Sequence, residues 1–84
     1  MPRYYFHLWN GIGSVPDEEG EEIHDLLAAR FRAIENIRSI LKGDIDEGLI
    51  DLTGHIDIAD EAGAVLERVH FAQAVVLRLP EQGG

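Results

Sequence analysis

Apolar and polar positions along this chain change period three times. From Arg3 to Trp9 both parities are occupied: Tyr4, Phe6 and Leu8 alternate with Tyr5, His7 and Trp9. Aromatic residues favour a pleated surface, and successive side chains of a strand point to opposite faces, so this segment predicts a strand with two different faces. Tyr4, Phe6 and Leu8 are assigned to the core. Tyr5, His7 and Trp9 are bulky and amphipathic, which suits a face covered by a partner or by a loop. Asn10-Gly11-Ile12-Gly13 predicts a turn, and Ser14-Val15-Pro16 a short strand at an edge, where proline is tolerated. Asp17 to Glu22 is acidic and interrupted by Gly20, and is expected to be an exposed loop.

Beyond it the period becomes helical. Leu27, Phe31, Ile34, Ile37, Leu41 and Ile45 fall within roughly a third of a helix circumference at 100° per residue. Arg32, Glu35, Asn36, Ser39 and Lys42 occupy the opposite side, and Arg30 and Arg38 sit inside the apolar arc with their heads at its rim. Asp25 is the expected N-cap. Two endings fit: at Lys42, with Gly43 as the glycine beyond the cap, or near Glu47, with Gly43 internal and Gly48 ending the helix. Leu49 to Gly54 then returns to the sheet.

His55-Ile56-Asp57-Ile58-Ala59 and Ala64-Val65-Leu66-Glu67-Arg68-Val69 predict a hairpin around Asp60-Glu61-Ala62-Gly63, a type I turn closed by a left-handed glycine. One register places Ile58 opposite Leu66 and Ile56 opposite Arg68. A register one residue away joins Ile56 and Ile58 with Val65 and Val69, and such a slip exchanges the faces. The run from Phe71 to Leu77 fits a short helix or a further strand, and Pro80 opens a frayed tail over 80–84. The order predicts an α+β two-layer sandwich, one long amphipathic helix packed on a three- or four-stranded antiparallel sheet. Its expected core is Leu27, Phe31, Ile34 and Leu41 against Phe6, Leu8, Ile56 and Ile58.

Composition narrows the function more than the fold. Eighty-four residues make a single domain spanning 1–84. No cysteine is present, which removes disulfides, thiolate metal sites and a thiol nucleophile together. Sixteen acidic against seven basic residues give a net charge of −9, a balance that repels phosphate backbones and anionic lipid. Neither a nucleic-acid nor a membrane partner is expected, and no apolar run reaches the ~18 residues of a membrane span. With no leader pattern at the start, the cytoplasm is the expected compartment.

Few residues offer chemistry. His55 and Asp57 share a strand face, and with His7 or His70 they would form a His/His/Asp site for a divalent ion. They are low-ranking metal candidates, because no HxxxH or HExxH spacing accompanies them. Six carboxylates between Asp17 and Asp25 lack the alternation of a calcium loop, and suit a solvated loop or a basic protein partner. Ser14, Ser39 and Thr53 have no base or oxyanion donors set beside them. A non-catalytic domain without cofactor is therefore expected, binding through Tyr5, His7 and Trp9, most simply as a homodimer.

The opening Met1-Pro2-Arg3-Tyr4-Tyr5-Phe6-His7-Leu8, the loop Pro16-Asp17-Glu18-Glu19-Gly20, the helix start Asp25-Leu26-Leu27-Ala28-Ala29-Arg30 and the hairpin segment Ile56 to Gly63 together resemble a family of short bacterial proteins classified only as a domain of unknown function. The resemblance spans nearly the whole chain and implies a stand-alone bacterial domain, without an activity or a ligand. Glu67 departs from it, standing where an apolar strand residue is expected. A looser similarity of layout links the chain to HicB-type antitoxins. It implies capture of a small basic ribonuclease toxin, toward which the negative charge would steer.

Overall fold

The computed structural model describes residues 1–81. Strand β1 (Arg3–Asn10) is followed by β2 (Gly13–Val15), a two-residue strand β3 (Glu21–Glu22), helix α1 (Leu26–Asp46), β4 (His55–Ala59) and β5 (Val65–His70). A single 3-10 turn over Phe71–Gln73 closes the described secondary structure. All pairings are antiparallel, in the order β2-β1-β4-β5, with β3 also bonded to β1 at Arg3 and Tyr4. The sheet thus gains one short strand, β3, from the segment expected to be entirely loop.

Local chemistry accounts for most boundaries. Asn10 Oδ1 accepts from the amides of Ile12 and Gly13 and closes the first hairpin. Asp25 caps the helix, its Oδ1 accepting from Ala28 N at 2.8 Å. The helix takes the longer of its two endings: Gly43 lies inside it, and Gly48, at φ 83°, turns the chain away after Glu47. In the β4–β5 turn, Asp60 Oδ1 accepts from Ala62 and Ala64, and Gly63 takes φ 87°.

The β4–β5 register combines parts of both expectations through a bulge. Ile56 faces Val69 and Ile58 faces Glu67, but Ala59 faces Val65, so Leu66 is the extra residue. Glu67 consequently lies on the helix side of β5, where its carboxylate stands 3.5 Å from Arg30 Nε. A buried apolar residue is not needed there, because the helix brings a cation to the same place. After β5 neither a full helix nor a strand forms. Phe71 turns into the core, and from Ala74 onward the described chain has no regular structure.

Helix and sheet meet through Ala29, Ala33, Ile37 and Leu41 above, and Tyr4, Ile56, Ile58 and Val69 below, with Ile23, Phe71 and Ala74 closing the ends. Phe6, Leu8 and Ile34 are half-buried against this cluster. Two residues assigned to the core are not in it: Leu27 is 62% exposed and Phe31 59%. Alanines at 29 and 33 let the helix settle closely on the sheet along a stripe rotated away from the bulkiest side chains. The rest of the apolar arc overhangs solvent. Among the described residues no helix is long and apolar enough to cross a membrane.

Candidate functional site

The helix covers one face of the sheet and leaves the other open, as antiparallel sheets permit. Register decides what stands on the open face. Trp9 faces His55 and His55 faces His70, while His7 faces Asp57 and Asp57 faces Arg68. Two cross-strand rows result. Tyr5, opposite the small and buried Ala59, begins a third.

In the first row the Trp9 and His55 rings stack, with centroids 5.3 Å apart and planes 12° from parallel. His70 meets His55 edge-on at 5.9 Å. Such contacts between aromatic rings add roughly 0.5–1.5 kcal/mol beyond their buried area, so the row is held as a unit. Trp9 remains 45% exposed at its outer end. Along β1, Tyr5 stacks on His7 at 6.4 Å.

In the second row Arg68 grips Asp57 with two bonds, Nε to Oδ1 at 2.7 Å and Nη2 to Oδ2 at 3.1 Å. This bidentate pair holds the Asp57 carboxyl below its ordinary value, and the same bond raises Arg68. His55 is pushed the other way from an exposed imidazole. Burial among its neighbours disfavours its cation, the Arg68 charge adds to that, and Asp57 only partly opposes them. His55 is therefore a neutral ring at neutral pH.

His7 is only half available. Its Nδ1 accepts from Asp17 N at 3.0 Å. Asp17 in turn accepts from the amides of Phe6, Glu19 and Gly20. Burial alone would raise the Asp17 carboxyl, but the Gly20, Phe6 and Glu19 amides outweigh it and the net shift is downward. One residue of the acidic loop thus pins that loop to β1. Arg3 Nη1 adds a bond to the Glu19 carbonyl oxygen. The loop covers the part of the aromatic face around His7.

Of the residues singled out from sequence, Tyr5, His7 and Trp9 share the open face with the metal candidates His55 and Asp57. The candidate pair gains no third ligand among the described residues, and Asp57 is already engaged. His55 Nε2 and Asp57 Oδ2 are 3.9 Å apart, both Asp57 oxygens are bonded to Arg68, and no three His, Asp or Glu side chains among the described residues converge to hold an ion. Arg68 is the member that sequence reasoning missed, and His70, named only as a possible third ligand beside His55 and Asp57, joins the face as a ring packed edge-on against His55. Their signal was the alternation Arg68/His70 matched to Asp57/His55, readable only once the Leu66 bulge fixed the register.

The clefts lie elsewhere. One of about 290 Å³, lined by Asn10, Ile12, Ile40, Asp44, Asp51 and Phe71 among others, holds two carboxylates and no histidine. Another, of about 230 Å³, is formed by Leu41, Ile45, Ile50, Leu52, Val75, Val76 and Leu77, all apolar. Neither opens onto the aromatic rows.

No curated protein and no solved structure matches this chain, so the likeness in layout to HicB-type antitoxins gains no support from them. A family model does match, over residues 3–72, which takes in every strand and the whole helix. The chain belongs to that family, described as a domain of unknown function, DUF6894.

Proposed function

We propose that this domain acts by binding and not by catalysis, and that the open sheet face is where it receives a protein partner. The observation that supports the reading is the exposed edge of Trp9, mounted on the His55–His70 row and set beside an internally neutralised Asp57–Arg68 pair. Tryptophan and tyrosine give large contact area for few rotors, and they recur at the centres of protein interfaces. When water is excluded from the face, each charge of this pair keeps its partner, so no unpaired charge is buried. The rim is acidic, because the loop carrying Asp17, Glu18 and Glu19 borders His7. The fitting partner therefore presents an apolar centre and a basic rim, and the net charge of −9 favours its approach.

Affinity capture with the intact chain, set beside Trp9→Ala and Arg68→Ala chains, tests this. A protein retained by the parent and lost from both variants is expected. If every retained protein binds the variants equally, the open face is not the docking site. Circular dichroism on the variants separates loss of the face from loss of the fold.

A further inference from the structure

The helix carries a second apolar seam that the sheet covers only in part. Leu27, Phe31, Ile34, Arg38, Leu41 and Ile45 are spaced 4, 3, 4, 3 and 4 residues apart, the a/d repeat by which two helices pack side by side. Ile34 is half-buried and Leu41 is only 5% exposed, held in the core beneath the helix, but Leu27, Phe31 and Ile45 are 62, 59 and 56% exposed. At its C-terminal end the seam runs into the apolar groove that Leu41 and Ile45 share with Ile50 and Leu77, themselves 58 and 53% exposed. We propose that this flank is a homodimer interface, in which α1 packs antiparallel against α1 of a second copy about a two-fold axis near residue 36. The inference is independent of the reading of the sheet face, and it moves self-association from Tyr5, His7 and Trp9 to the helix.

Charge selects both the occupant and its direction. A parallel pair in register would set Arg38 against Arg38, like charges in the middle of the seam. The antiparallel pair sets Leu27 opposite Ile45 and Ile34 opposite Arg38, and brings Phe31 to the level of Leu41, which lines the apolar groove from its buried side. It also brings Arg38 to the height of Glu35 on the other helix, at the edge of the seam. Arg38 is already steadied, its Nε donating to the Ala74 carbonyl oxygen at 2.7 Å, which leaves its terminal nitrogens for Glu35. A two-fold axis makes each of these contacts twice.

Area is sufficient. On the scale of an aromatic side chain, which buries about 150–250 Å², each of the five half-exposed residues has on the order of 100 Å² to lose. The apolar part alone then supplies roughly 500 Å² per copy, and the polar rim of Glu35, Arg38 and Lys42 brings it toward the ~800 Å² that each partner contributes to a stable interface.

Sedimentation equilibrium of the intact chain up to millimolar concentration is the test. The expected result is a dimer whose average mass halves in Phe31→Glu and in Leu27→Glu, and stays unchanged in Trp9→Ala. Both charged variants alter exposed positions, so helical circular dichroism should persist, and either one alone suffices if the other fails to fold. Direction is read from introduced cysteines, the chain having none of its own. The seam ends lie about 27 Å apart along the helix, so Leu27→Cys alone should not cross-link on oxidation, whereas Leu27→Cys mixed with Ile45→Cys should. A monomer at every concentration, a dimer indifferent to both glutamates, or cross-linking of Leu27→Cys with itself would overturn the proposal.

Discussion

A β-carbon added at Gly54 would stand 2.7 Å from the Trp9 carbonyl oxygen and 2.8 Å from two ring carbons of Phe71. The ring is fully buried and the oxygen belongs to the sheet, so neither can move aside cheaply. Gly54→Ala should cost at least the ~1–3 kcal/mol of an overpacked core. At Gly43, inside the helix, nothing lies within 4 Å of the same atom, and Gly43→Ala should gain about 1 kcal/mol from helix propensity. For a domain of this size, thermal melts should therefore move in opposite directions, by ~4–8 °C per kcal/mol. His55 sets a pH dependence of the opposite sense from a salt-bridged histidine. Its folded value lies below the ordinary 6.5, so on acidification the unfolded chain takes up the proton first. Its contribution is complete above 6.5 and is lost as pH falls through the folded value. Asp57 and Asp17 behave alike in a lower window, their stabilisation complete above 3.8 and lost below it. Two successive falls in melting temperature are expected, the first absent in His55→Gln. Arg68→Ala should raise the His55 titration followed by NMR, since it removes a nearby cation and frees Asp57 to attract the imidazolium.

The helix shows where pattern and packing part company. Its apolar arc was legible, as were Asp25 as cap and the register of side chains that makes one face of β1 a core face. The centre of burial was not legible, because a periodicity count gives most weight to Leu27 and Phe31, and contact with a sheet favours the small Ala29 and Ala33 that let the backbones approach. Ile37→Ala, in the observed stripe, should cost the ~2–5 kcal/mol of a core truncation. Phe31→Ala should stay near the ~0.5 kcal/mol of a surface change in the monomer. Denaturant melts of the two variants at low protein concentration distinguish the stripes, and equal costs would contradict the observed burial. Asp25→Ala should cost about 1 kcal/mol through the lost bond to Ala28. The candidate site was legible only in its first half. Tyr5, His7 and Trp9 follow from period two alone, but Arg68 and His70 depend on the bulge at Leu66. The composition of β5 fits both registers, so it does not reveal that Leu66 is the extra residue.

At the scale of the molecule, the small core is closed by its last ordered turn and not by its sheet. The family match ends at residue 72, yet Ala74 is fully buried, its carbonyl oxygen holds Arg38, and Val75 packs against the core from the same segment. A chain of this length buries only about 60–65% of its unfolded surface, and its margin of stability is correspondingly thin. Removing residues 74–84 would take Ala74 and Val75 from the core cluster that holds Ile37 and Leu41, and leave Arg38 without its carbonyl partner. The loss is chiefly a cavity-sized gap in apolar contact, with the ~0.5–1.5 kcal/mol net worth of the Arg38 hydrogen bond added to it. A chain ending at Gln73 should therefore melt broadly or be unfolded at room temperature, although it retains every strand and the entire helix. A chain ending at Leu77 keeps Ala74, Val75 and the groove lining, and should unfold cooperatively close to the full-length chain. If both truncations melt close to the full-length chain, closure of the core lies within residues 1–73, and the residues that follow the 3-10 turn are an ornament. If only the shorter one collapses, the functional boundary of the fold lies beyond the boundary of the family pattern.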